Sequence, residues 1–154
     1  MTKRLKLNRT EIQEYQQNRD PYLMIDEATE IIPGKSAKGF KRLRDDEWFF
    51  KVHWPNDPNM PGMLQIESLV QMSALSILTL PGNKGKLLYL TNADKIKFSK
   101  KIIPSDILEI DTKIISFKRG LAKCSGIGTV EKKLACSAEF NLILPELIKS
   151  YNLR

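Results

Sequence analysis

Apolar and polar positions change rhythm several times along this chain, and each change marks an element. Residues 8 to 17 predict a short helix, with Thr10 as cap, Gln13 at the capping-box spacing, and Ile12 and Tyr15 on one face. Arg19-Asp20-Pro21 ends it. From Tyr22 to Ile32 and from Ser36 to Leu43, β-branched and apolar residues flank Pro33-Gly34, which predicts two antiparallel strands. Between Asp45 and Gly62 the rhythm disappears: Pro55, Pro58 and Pro61 alternate with Trp48, Phe49, Phe50 and Trp54, the composition of a structured loop with aromatic anchors. Residues 63 to 80 then predict a long helix that is apolar on nearly all sides, and such a helix is wrapped by other elements.

After Lys84 the chain predicts strands near 87–91, 95–103, 107–118, 121–130 and 134–144. The last has an even-numbered apolar face, Leu134, Cys136, Ala138, Phe140, Leu142 and Leu144, and Glu131-Lys132-Lys133 forms the turn before it. Pairing about that turn sets Cys124 opposite a residue near Phe140, so no cross-strand disulfide is expected. A short helix at Pro145 to Ile148 closes the pattern. Helix, strands, long buried helix and antiparallel strands make an α+β domain, one sheet curled about a central helix. Residues 1–154 fit one domain, with no repeat or linker.

Composition narrows the function classes. With 42% hydrophobic and 28% charged residues the chain is globular, and no apolar run approaches the ~20 residues that span a bilayer. The N-terminus has no apolar signal core, so the expected compartment is the cytoplasm. A net charge of +7 favours acidic partners, but nucleic-acid binding has no motif behind it. Two cysteines without a C-x-x-C pair or a nearby His argue against structural zinc and for buried thiols.

Two titratable residues stand out. His53 is the only histidine, lies among aromatics and prolines, and is a side chain able to take a proton near neutral pH; a packing role in the aromatic loop is the alternative. Glu67 is the only charged residue between Met60 and Leu80, where burial either protonates it or demands a partner. A helix face meeting solvent or a lysine would explain it too. Gln71, one turn on, is placed to orient Glu67. Gly62 follows Pro61 at the helix start, where free N–H groups can polarise a carbonyl or simply make a turn.

The block Asp46-Glu47-Trp48-Phe49-Phe50-Lys51-Val52-His53-Trp54-Pro55, the turn Pro58-Asn59-Met60-Pro61-Gly62 and the helix start Met63-Leu64-Gln65-Ile66-Glu67-Ser68-Leu69-Val70-Gln71 resemble the active-site region of FabZ-type β-hydroxyacyl-acyl carrier protein dehydratases. Arg19 to Asp26, Asp94 to Phe98 and Ile103 to Asp106 extend the resemblance to about residues 17–145. It implies a hotdog fold and a dehydratase without metal or redox cofactor. His53 would remove the α-proton, Glu67 would help the β-hydroxyl leave, and Gly62, with Met63, would hold the thioester. It also implies an acyl carrier protein whose phosphopantetheine arm delivers the acyl chain, and a homodimer, or a trimer of dimers, in which His and Glu of one site come from different subunits. Lys100 and Lys101, in a cluster with Lys95 and Lys97, would steer the acidic carrier. A hotdog thioesterase and a catalytically lapsed acyl-binding subunit are the competing readings.

Four departures from the family pattern accompany the match. Val52 stands where Gly precedes the His, Asn59 replaces a small apolar residue, Thr91-Asn92-Ala93 replaces a Gly-containing segment, and Ser105 replaces the Gly of a P-G-D turn. A valine cannot take the positive φ open to glycine, so Val52 is expected to tilt the ring of His53.

Overall fold

The computed structural model describes residues 2–148. Its elements are β1 (Leu5–Leu7), α1 (Arg9–Tyr15), β2 (Glu27–Ile32), β3 (Ser36–Arg42), α2 (Gly62–Leu78), β4 (Tyr89–Phe98), β5 (Ile107–Lys118), β6 (Leu121–Val130) and β7 (Lys133–Ile143), with short 3-10 turns at Trp48–Lys51 and Pro145–Leu147. The strands form one antiparallel sheet of order β1-β2-β3-β5-β6-β7-β4. α2 lies along it and packs against β2, β3, β5, β6 and β7. This is the hotdog arrangement expected from the resemblance. No helix among the described residues is long and apolar enough to cross a membrane.

α2 fills the curl of the sheet because nearly every side of it is apolar or small: Ile66, Leu69, Met72, Leu75 and Ile77 are all but inaccessible, as are Ser68, Ser73 and Ser76. The sheet meets it closely through glycines. A Cβ on Gly39 would come within 2.6 Å of the Met72 side chain, and one on Gly126 within 3.2 Å of Leu69. Side chains there would push the helix off the sheet and open voids in the core.

Several boundaries differ from the sequence expectation. The cap of α1 is Asn8, not Thr10: the Asn8 side chain accepts from the Glu11 N–H at 2.9 Å while the Glu11 carboxylate accepts from the Asn8 N–H at 2.8 Å. That reciprocal pair satisfies two donors at once and leaves Thr10 inside the helix. Residues 22 to 26 do not join β2, since side chains take up their backbone groups: Gln71 binds Met24 N–H and Tyr22 C=O, and Arg9 binds Ile25 C=O. β1 was not expected at all.

The two strands foreseen at 87–91 and 95–103 are one bulged strand, β4, whose register against β7 shifts between Leu90 and Asn92 and between Asp94 and Lys97. Ser99 N–H still donates to Ala135 C=O at 2.8 Å; beyond it the chain leaves the sheet, and Ile102 C=O accepts from Met60 N–H at 2.7 Å. A further bulge, between Gly128 and Thr129, alters the start of β7, so Ala135 is buried and Leu134 exposed, against the even-numbered pattern. From Cys136 onward that pattern holds, and Cys124 pairs with Phe140. Both cysteines are free and buried, and burial pushes their thiols up to about 12 and about 11.

Candidate active site

Two recesses flank α2, and the residues singled out in the sequence divide between them. His53, Gly62, Lys100 and Lys101 line one, of about 560 Å³. Glu67 and Gln71 line the other, of about 350 Å³. Met63 lines neither and is 67% exposed.

The His53 ring is held by the loop. The 3-10 turn Trp48–Lys51 buries Phe49 and Phe50, whose rings meet edge to face at 4.8 Å, and His53 N–H donates to Phe49 C=O at 2.8 Å. Trp54 stacks on the imidazole, with centroids 5.0 Å apart and planes 18° apart. His53 Nδ1 lies 3.0 Å from the Asn59 carbonyl oxygen, which can only accept, so Nδ1 carries the proton and donates. In the neutral ring Nε2 is then the basic nitrogen.

Val52 is accommodated here without backbone strain. Its φ of −117° suits any L-residue, and its side chain is 71% exposed. The positive φ of the segment falls on Trp54, at 60°. Ser105 does adopt a positive φ, 75°, in the left-handed region that favours glycine, and its Oγ donates to Asp45 at 2.9 Å. Asn59 contributes through its backbone to His53 and donates its side-chain amide to Asp57 C=O at 2.8 Å.

α2 opens at Gly62 with Pro61 as its cap and no side chain accepting from its first turn. The Leu64 and Gln65 N–H groups both return to Pro61 C=O, at 3.0 Å each, so the Gly62 and Met63 N–H groups are the uncapped donors at the positive end of the helix. The Phe98 ring covers Gly62 so closely that a Cβ would fall 2.8 Å from it. Lys100 is half-buried in the same recess, and Lys101 is exposed and ion-paired with Asp57.

Glu67 is half-buried on the second turn of α2, and burial raises its carboxyl above the ordinary value of 4.5. Gln71 works against that rise by donating to Glu67 Oε1 at 2.9 Å, the one-turn contact expected from the sequence. The same amide donates to Tyr22 C=O at 2.9 Å and accepts from Met24 N–H at 2.8 Å, so it is pinned on both sides. Tyr22 is raised by its own burial and by the nearby Glu67 charge. Gln16, which also lines the Glu67 recess, carries no signal in the sequence. The flanking aromatics were expected to hold the His53 ring, and Trp54 does; the Asn59 carbonyl on Nδ1 was not legible, being a contact of a loop without periodicity.

An imidazole oriented by a loop and a carboxyl raised by burial, on a helix wrapped by one antiparallel sheet, are side chains of the kind acid-base chemistry in a hotdog protein would use. The FabA-like domain model matches residues 17–139. The chain is 40% identical over 147 residues to the 3-hydroxyacyl-[acyl-carrier-protein] dehydratase FabZ of Alkaliphilus metalliredigens, covering 94% of this chain and 100% of that protein. To the protein of the same name from Clostridium novyi it is 39% identical over 132 residues, covering 84% and 93%. The chain therefore belongs to the FabZ-type dehydratases of the FabA-like family. Among solved structures, the dehydratase heterocomplex ApeI:P from Xenorhabdus doucetiae matches with a TM-score of 0.73 at 12% identity, over 87% of this chain and 90% of that one. A hypothetical thioesterase with coenzyme A from Streptococcus pneumoniae matches with 0.57 at 14%, over 73% and 80%. At such identities both show the fold alone.

Proposed function

We propose that this chain dehydrates 3-hydroxyacyl thioesters carried on acyl carrier protein, in a cytoplasmic homodimer whose sites each combine His53 of one subunit with Glu67 of the other. The observation that carries the composite site is the division of the two residues between separate recesses of one chain. β4 supports the pairing: it is an end strand of the sheet, paired on one side to β7 only, and it exposes Tyr89, Leu90 and Phe98. A bare apolar edge of this kind is normally covered. A trimer of such dimers would add assembly without changing the site.

In the reaction, His53 Nε2 takes the α-proton, and the charge that moves to the thioester oxygen is stabilised by the Gly62 N–H, with Met63 N–H beside it. The Cα–Cβ double bond forms as the Cβ–O bond breaks. The Glu67 carboxyl gives its proton to the departing hydroxyl, which leaves as water, and a trans-2-enoyl thioester remains. Passing the proton from the imidazolium to the Glu67 carboxylate resets both groups. Lys100 and Lys101, at the His53 recess, attract the acidic carrier and its phosphopantetheine arm.

The test is incubation with 3-hydroxydecanoyl-carrier protein and mass analysis of the product. Loss of water is expected. His53→Ala should lower that rate about 10²- to 10⁴-fold with the fold intact by circular dichroism. Release of free acid would make the protein a thioesterase, and no product would make it an acyl-binding subunit.

A further inference from the structure

β3 carries a charge on its buried face. Ala37, Gly39 and Lys41 alternate onto the side of the strand that meets α2, and Lys41 pairs across the sheet with the inaccessible Leu108. The Lys41 side chain is 5% exposed, and its Nζ donates at 2.8 Å to Oε2 of Glu47, whose side chain is 18% exposed. A lone ammonium is too costly to keep in such a place, so the two charges are buried as a unit. Stability does not account for them. Replacing a buried ion pair by apolar residues of similar volume is often neutral, because the desolvation of both charges is avoided. What the pair does supply is a fixed geometry between the two elements that carry it.

Those elements are the sheet and the loop of His53. Glu47 is the residue from which the 3-10 turn Trp48–Lys51 starts; its C=O accepts from Phe50 N–H at 3.1 Å, and Phe49 C=O accepts from His53 N–H at 2.8 Å. Trp54 and the Asn59 carbonyl, which orient the imidazole, lie in the same loop, so they turn the ring within the loop without fixing the loop to the sheet. At its far end the loop is held by Met60 N–H on Ile102 C=O and runs straight into Gly62. At its near end the buried side-chain hold is Lys41 on Glu47, while that of Trp48 Nε1 on Pro21 C=O, at 3.3 Å, is exposed.

We infer that the Lys41–Glu47 pair positions the base: it ties the start of the loop to β3 and so fixes where His53 stands against the Gly62 N–H group. The inference rests on the dehydratase reading above, with His53 as the base. Neither residue lines the His53 recess. Lys41 acts through Glu47, and Glu47 through the turn it opens. Without the pair the loop keeps its internal contacts, but the ring is no longer fixed relative to the helix start, and a misplacement of about 1 Å is enough to slow a reaction about a hundredfold.

The experiment sets Lys41→Met and Glu47→Gln beside the double variant that carries both. Each single change strands a buried charge and should lower Tm; the double change strands none and should return Tm close to that of the wild type. On 3-hydroxydecanoyl-carrier protein the double variant should nonetheless keep a kcat lowered about 10- to 100-fold, with KM within about threefold. Its amide hydrogen exchange should be faster across residues 47–53 and unchanged in β5, β6 and β7. Glu47→Asp keeps both charges but shortens the tether by one methylene, and the same drop in kcat is read from it if the double variant fails to fold. Wild-type kcat in a folded double variant overturns the positioning role and leaves the dehydratase reading standing. Wild-type exchange across residues 47–53 in that variant overturns the tether whatever the substrate. A wild type that does not dehydrate the substrate overturns both readings.

Discussion

The His53 recess and the Glu67 recess solve opposite problems with opposite means. Imidazole as a side-chain type is an able proton acceptor, and what the structure adds at His53 is orientation, with a stacked indole on one side and a backbone carbonyl on Nδ1. Glu67 needs the reverse. A surface carboxyl is ionised at neutral pH and has no proton to give, so burial on an apolar helix raises it, while Gln71 fixes its direction. The proposed base is built by geometry and the proposed acid by environment, and neither recess of one chain holds both.

The largest expected effect attacks that division directly. His53→Ala and Glu67→Gln subunits, each nearly inactive alone, should recover about a quarter of wild-type turnover when unfolded together in equal amounts and refolded: half the dimers are mixed, and each mixed dimer regains one intact site. Recovery is read as dehydration rate against the ratio of the two subunits. Mixtures as inactive as their components would place base and acid in the same chain.

Much of this contrast is legible in the sequence, because each recess is announced by a singular residue: one histidine in the whole chain and one charge in an apolar helix. Gln71 was legible through helical spacing alone, and the β6–β7 register through its turn. What escaped notice depends on contacts distant in sequence or on breaks in period. β1 has three residues, too few to show an alternation, and exists because β2 offers it an edge. The bulges in β4 and at the start of β7 each shift the register, which reverses which side chains face the core, as Ala135 and Leu134 show. Asn8 and Thr10 are both competent caps, and the choice falls to whichever finds its glutamate three residues on, here Glu11.

Glu67→Gln also tests the acid half by stability. Below about pH 4.5 the carboxyl is neutral in both folded and unfolded protein and costs nothing. As pH rises from there through the raised folded value, the unfolded chain ionises first and the native state lags, so stability falls; above the folded value the loss is complete. The neutral amide has no such loss. The Tm difference, variant minus wild type, should thus be smallest at low pH, grow through this window and level off. A difference flat across pH would mean that burial does not raise Glu67.

A smaller effect probes the His53 side. Lys100→Glu with Lys101→Glu should raise KM for a carrier-bound substrate about 3- to 10-fold at low salt and much less at high salt, since screening shortens the reach of exposed charges. A small pantetheine thioester should be barely affected. Part of the change comes from setting residue 101 against Asp57, its present partner. Equal losses on both substrates would assign the lysines to the recess itself and not to docking.

The smallest effect is the sharpest statement about how His53 is held. If the ring owes its direction to Trp54 and the Asn59 carbonyl, then residue 52 has no part in it, and Val52→Gly should leave kcat within about twofold. The backbone there is in the ordinary right-handed region, so glycine relieves nothing. It should instead cost about 0.5–1 kcal/mol, because glycine gives the unfolded chain more freedom to lose. The exposed valine side chain contributes little packing to offset or enlarge that figure. Urea unfolding measures the cost, and steady-state dehydration measures the rate. A several-fold gain in kcat would mean that the valine does tilt the imidazole, and that the geometry of the base is set from residue 52 as well as from the two contacts seen to hold it.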